Sequence, residues 1–148
     1  MNRSTVWSVV VTVAMALLSG CQAMGTSEQD SQSFMRVHYV EIVCNDVAAQ
    51  CAALEQLHGL SFGPADADYG TARVAEAPDG RRIGVRAPLA EHEQPVVRTY
   101  LEVEDIARAV KAAEDAGAMI AYGPVQQGDS GTWAIYFLGD VQLGLWQP

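Results

Sequence analysis

A chain of 148 residues with 9 Lys and Arg against 18 Asp and Glu has a formal charge of −9. That acidity excludes nucleic acid, and the headgroups of anionic lipids, as electrostatic partners. The length is enough for one compact domain with one core.

Asn2 and Arg3 make the start positive, and Val6 to Leu18 form an apolar run too short and too abruptly ended to span a membrane. The run closes on Leu18-Ser19-Gly20-Cys21, which resembles a bacterial lipobox. The resemblance implies a lipoprotein signal peptide over 1–20, cleavage before Cys21 and lipidation of that cysteine. The other reading is an ordinary export signal with a chance cysteine. Residues 21–35 are polar with little periodicity, as a lipidated flexible tether would be. The expected location is the bacterial cell envelope, with a lipid as the membrane contact. In a diderm cell, Gln22 after the cysteine favours the periplasmic face of the outer membrane, by resemblance to sorting behaviour. Export also leaves Cys44 and Cys51 as a pair in a compartment that permits disulfides.

The domain, 36–148, contains a repeat. Sliding the chain by about 59 residues lays "VHYVEIVCND" on "VRTYLEVED" and "VAAQCAALEQLHG" on "IARAVKAAEDAG". "RRIGVR" falls, one residue further on, on "VQLGLW", so Gly84 pairs with Gly144. Each half opens with an alternating strand, 37–44 or 97–103. A helix follows each, begun by a cap at Asn45 or Asp46, and at Glu104 or Asp105. The helices run to about 58 and 116, ahead of Gly59 and Gly117. Val47, Cys51 and Leu54 stripe the first helix; Ile106, Val110 and Ala113 stripe the second. Strands are expected near 69–76 and 81–87, and near 118–122, 131–138 and 141–147, with the first strand after the first helix weak. Both halves therefore read strand, helix, three strands, as modules of about 36–88 and 97–148 joined by "LAEHEQP".

This paired βαβββ order, with Asp46 and Asp105 at the helix starts and the closing "VQLGLWQP", resembles the vicinal oxygen chelate superfamily, in its glyoxalase-like branch. That superfamily includes glyoxalase I, bleomycin-resistance proteins and extradiol dioxygenases. The resemblance implies an α+β fold in which two βαβββ modules form a curved, cup-shaped mixed sheet with the helices outside. It also implies four metal-ligand positions inside the cup. Here they hold Tyr39, Gly84, Arg98 and Gly144. Glycine has no side-chain donor and arginine no lone pair, so no metal and no cofactor are expected.

Strand alternation puts Val40, Ile42 and Cys44, and Thr99, Leu101 and Val103, toward the helices. Tyr39, Glu41, Arg98, Tyr100, Glu102, Gln142 and Trp146 then face the cup and are the candidate ligand-binding residues. Arg98 would receive an anionic or carbonyl group, or would pair with Glu41 and Glu102 in an ion cluster. Tyr39, Tyr100 and Trp146 would supply aromatic walls, the two glycines would let a ligand approach the backbone, and Arg82 and Arg86 would be rim charges. Alternation sends His38 to the helix side as a structural residue. His58 sits at a helix end and His92 in a loop. Three functions stay open. One is a metal-free cup binding a small organic ligand. The second is a lyase- or isomerase-type enzyme using Glu41 or Glu102 as acid or base, or an atypical metal site. The third is an envelope protein with a structural or interaction role. A homodimer is compatible with each, and so is either state of Cys44 and Cys51, bridged or packed as free thiols.

Overall fold

A computed structural model describes residues 35–148. The signal peptide, Cys21 and nearly all of the tether lie outside the described residues. The order is β1 (Val37–Val43), α1 (Val47–His58), β2 (Ala65–Asp66), β3 (Ala72–Glu76) and β4 (Arg82–Arg86), then β5 (Val96–Glu102), α2 (Ile106–Asp115), β6 (Met119–Gln126), β7 (Thr132–Leu138) and β8 (Val141–Gln147). Among the described residues the strands form one mixed eight-stranded sheet ordered β2-β3-β4-β1-β5-β8-β7-β6. Each module is thus β1 beside β4 in parallel, or β5 beside β8 in parallel, and the modules join where β1 and β5 pair antiparallel. The α+β class and the paired modules are those that the family resemblance implied.

The helix starts follow from their caps. The Asp46 carboxylate accepts the Ala49 N–H at 2.9 Å and that of Asp105 accepts the Arg108 N–H at 2.9 Å. Each bond satisfies an orphan donor of the first turn, a contribution of about 1 kcal/mol that Asp→Ala would remove. Gly59 ends α1 in the left-handed region at φ 66°, where a β-carbon would be strained. The weak strand β2 is two residues long, and Tyr69 belongs to a short 3-10 turn rather than to the next strand. The reason is local: Asp66 turns the chain by accepting the Asp68 N–H at 2.8 Å, and extended backbone resumes only at Ala72.

Each module has its own strand–helix core. In the first, Cys51, Phe62, Ala75 and Val85 pack with Ile42, Val47 and Leu54; in the second, Ile106, Ala134, Tyr136 and Leu145 pack with Val103, Val110 and Ala113. These are the faces assigned by alternation. Burying a side chain of Phe or Leu size stabilises such a core by roughly 1.5–3 kcal/mol. Cys44 and Cys51 are both free. Cys51 is seated among Phe62, Ala75 and Val85 and Cys44 packs on that cluster, so both serve as small apolar groups rather than as a bridge. Burial pushes both thiols upward in pKa.

Candidate functional site

The inner face of the sheet carries a third cluster, of Tyr39, Tyr100 and Trp146, with Tyr69, Trp133 and Ile135 against it. The three central rings are 2–3% exposed. Tyr39 meets Tyr69, Tyr100 and Trp146 at ring separations of 5.4–5.7 Å, and Tyr69 stacks on Trp146 at 5.9 Å. These aromatics face the cup as alternation assigned them, but they pack on one another instead of standing as open walls. Only about 90 Å³ of space remains at this centre, bounded by Tyr69 and Gly70 from the first module and by Gln127 and Trp133 from the second.

The packing explains the two inner glycines and corrects their sequence reading. A Cβ on Gly84 would lie 2.7 Å from Tyr39 Cζ, and one on Gly144 would lie 2.6 Å from Tyr100 Cγ. The glycines make room for the protein's own tyrosines, not for a ligand at the backbone. Neither glycine has positive φ, so the requirement is steric.

His38 is a second correction. The β1–β5 register shifts between Val37 and Tyr39, leaving His38 as the extra residue of a bulge. The bulge turns His38 to the same side as Tyr39. Its ring stacks on Trp146 at 5.3 Å, and its Nδ1 lies 3.4 Å from the Glu102 carboxylate. Burial lowers the His38 pKa, and Glu102 opposes that only in part. Arg36 also pairs with Glu102 at 3.3 Å. Glu102 is therefore held at the start of β1, with Arg36 and His38 as its partners.

Beside the aromatics lies a buried ion cluster. Glu41 accepts from Arg86 Nε at 2.6 Å, from the Tyr100 hydroxyl at 3.2 Å and from Arg98 Nη1. Arg98 Nη2 donates to the Gln142 amide oxygen at 2.7 Å. Arg86 also forks onto Glu93, Nη1 and Nη2 reaching its two oxygens at 2.8 and 2.7 Å. Arg86 is not a rim charge: it is 5% exposed, beside Arg98 at 3% and Glu41 at 6%. Arg82 is nearer the edge, on Glu76 and the Tyr69 hydroxyl. Burial alone would disfavour the Arg86 charge, but hydrogen bonds and charges from Glu93 and Glu41 outweigh it and raise the Arg86 pKa. Bonding to Arg86 holds the Glu93 carboxyl down to about 2. Burial raises the hydroxyls of Tyr39 and Tyr100 above the usual tyrosine range. Glu93 carries no sequence signal because it lies in an aperiodic loop. Arg86 shares the inner-face alternation of Gly84, and that signal was available.

Open space continues from this cluster. A groove of about 880 Å³ runs between the loop after β4 and the inner face of β6, β7 and β8. Arg86, Glu93, Arg98 and Gln142 lie along it, facing Tyr122, Trp133, Ile135 and Phe137. Trp133 and Tyr122 stack at 5.3 Å.

No protein-family profile matches the chain, and no curated protein sequence does. Solved structures match over three quarters of it. Methylmalonyl-CoA epimerase from Mycobacterium tuberculosis shares 17% identity over 76% of this chain and 87% of its own, with a TM-score of 0.59. The hypothetical protein BH1468 from Bacillus halodurans C-125 shares 13% identity over 76% and 94%, with a TM-score of 0.60. A methylmalonyl-CoA epimerase in complex with methylmalonyl-CoA and NH4+ shares 16% identity at a TM-score of 0.56, covering 76% of this chain and 94% of its own. The chain has the vicinal oxygen chelate fold.

The residues at the four positions where the resemblance implied metal ligands do not suit a divalent ion. The Tyr39 ring stands over Gly84 and the Tyr100 ring over Gly144, so the glycine positions are filled by phenol rings rather than carboxylates. Arg98 places a guanidinium at the remaining position, already paired with Glu41. Among the described residues no group of three or more His, Cys, Asp or Glu is arranged to hold a metal.

Proposed function

We propose that the protein is a lipid-anchored, extracytoplasmic member of the glyoxalase-like branch that binds a small organic ligand in a metal-free cup. The groove of about 880 Å³ carries this reading, because it joins an apolar, aromatic wall to a few converging polar groups in the manner of small-molecule sites. A fold neighbour, a methylmalonyl-CoA epimerase, was solved in complex with methylmalonyl-CoA, which supports reading this fold as one that takes a small organic ligand. The oxygens of Glu41 are engaged by Arg86, Arg98 and Tyr100, while Glu102 stands apart on Arg36 and His38. That arrangement favours binding over acid–base catalysis by either carboxylate. The lipobox-like Leu18-Ser19-Gly20-Cys21 supports the anchored location.

Native mass spectrometry of the exported chain tests the binding reading. A small molecule retained by wild type and lost in Trp133→Ala is the expected result. Retention unaffected by Trp133→Ala and by Arg98→Gln would overturn it. Cys21→Ala, or globomycin, should leave an unlipidated precursor; a wild type found wholly in the cytoplasm would refute the location.

A further inference from the structure

We propose that Glu93 is an internal occupant of an anion seat made by Arg86 and Arg98, and that the ligand of the groove is a monocarboxylate with a flat apolar body that displaces it. The proposal rests on the ligand-binding reading above and adds the ligand's chemical class. The seat consists of two guanidiniums with side chains 6% and 4% exposed, sharing the single equally buried carboxylate of Glu41. One positive charge is left over, and a carboxylate from the loop between the modules makes it up.

That carboxylate fits the seat imperfectly. It forks onto Arg86, yet its nearer oxygen is 3.9 Å from Arg98 Nη2, beyond hydrogen-bond reach. Arg98 Nε is buried without any hydrogen-bond partner. Glu93 is tethered by its own backbone, whose N–H bonds to Ala90 O at 3.0 Å. A free carboxylate has no such tether and can bridge the two guanidiniums. Glu93 is also the most exposed member of the cluster, with 20% of its side chain exposed, and it holds its loop by accepting the Leu89 N–H at 2.7 Å. Removing Glu93 from Arg86 therefore releases the loop. Arg86, Leu89, Trp133 and Ile135 border both the groove and the small central cavity, so release of the loop joins the two spaces. The ligand's body would lie on Trp133, Ile135 and Phe137, which calls for a flat apolar group. Asp140 also lines the groove and disfavours a second carboxylate.

The experiment titrates the purified full chain with phenylacetate and with neutral phenylacetamide, following tryptophan fluorescence and amide hydrogen exchange. In wild type, phenylacetate should bind at least tenfold more tightly than the amide and should accelerate exchange across 87–95. Glu93→Ala should bind phenylacetate at least tenfold more tightly than wild type, with the amide unchanged. Glu93→Gln keeps the shape and one accepting oxygen while its amide N–H2 faces an Arg86 donor, and should show the same direction of change if the alanine variant folds poorly. Equal affinity for acid and amide, or no gain in either Glu93 variant, overturns the proposal. If acid and amide bind equally and Trp133→Ala removes both, the carboxylate assignment falls while the groove stands as a ligand site.

Discussion

Gly144→Ala is expected to be among the most damaging single-methyl changes in the molecule. The added Cβ would lie 2.6 Å from Tyr100 Cγ and 2.5 Å from Cε1. Carbon atoms rest at about 3.5–4.0 Å, so the ring has to retreat by roughly 1 Å. The one space beside it is the small central cavity of about 90 Å³. Tyr100 is 3% exposed, with Tyr39, Trp133 and Trp146 around it at 5.4–6.1 Å, and its hydroxyl is spent on Glu41. Overpacking of this kind costs about 1–3 kcal/mol, and loss of a hydrogen bond to the buried carboxylate adds about 1–2 kcal/mol. A total near 3 kcal/mol lowers the Tm of a domain this size by about 10 °C or more. The assay is a double-mutant cycle in urea and by calorimetry. In the Tyr100→Ala background, Gly144→Ala should cost less than about 0.5 kcal/mol, since alanine in an unstrained strand position is better tolerated than glycine. Equal costs in the two backgrounds would refute the steric argument.

The remaining predictions concern protons, metal and thiols. The folded pKa of Glu93 is depressed to about 2 from 4.5, so its stabilisation is complete above about pH 4.5 and is lost as pH falls from 4.5 toward 2. Allowing for the partial exposure of the side chain, this amounts to about 2–3 kcal/mol. Urea midpoints between pH 2 and 6 should lose that slope in Glu93→Gln, and an unchanged slope would count against the Arg86 contact. Elemental analysis of the purified protein should find no stoichiometric metal, and chelator should leave the Tm unmoved; one bound equivalent whose removal unfolds the protein would contradict the reading of Tyr39, Gly84, Arg98 and Gly144. Cys44 and Cys51 should alkylate slowly while folded and quickly in denaturant, and peptide mapping without reductant should find them unlinked. A linked 44–51 peptide would show that the strand–helix core accommodates a bridge.

Local rules carried much of the architecture. Capping aspartates, helix stripes and strand alternation all depend on neighbours within a few positions, and the repeat tied the two modules together. His38 departs from alternation because a bulge is a property of two strands, visible only once β1 and β5 are in register. The two glycines stand out in the sequence but their role does not, since the rings that exclude a Cβ come from neighbouring strands. Alternation placed Tyr39, Glu41, Arg98 and Tyr100 on one face but could not say that they would bury one another. Glu93 belongs to a segment without periodicity, and only the tertiary fold brings it onto Arg86.

Glu41 and Arg98 stand directly opposite one another across β1 and β5, the seam between the modules. Sliding one strand by a single residue would turn that strand's charge toward the helices and leave the other without its cross-strand partner, and sliding by two would set Glu41 and Arg98 each opposite an uncharged residue. Breaking a buried pair costs about 3–5 kcal/mol, so the pair acts as a key that admits one alignment of the halves. The key reads alignment and not ownership, because Glu41 from one molecule would fit Arg98 of another equally well. Whether the halves close on themselves or exchange between copies is then governed by the connecting segment 87–95, and shortening it should convert a self-closed chain into an intertwined pair.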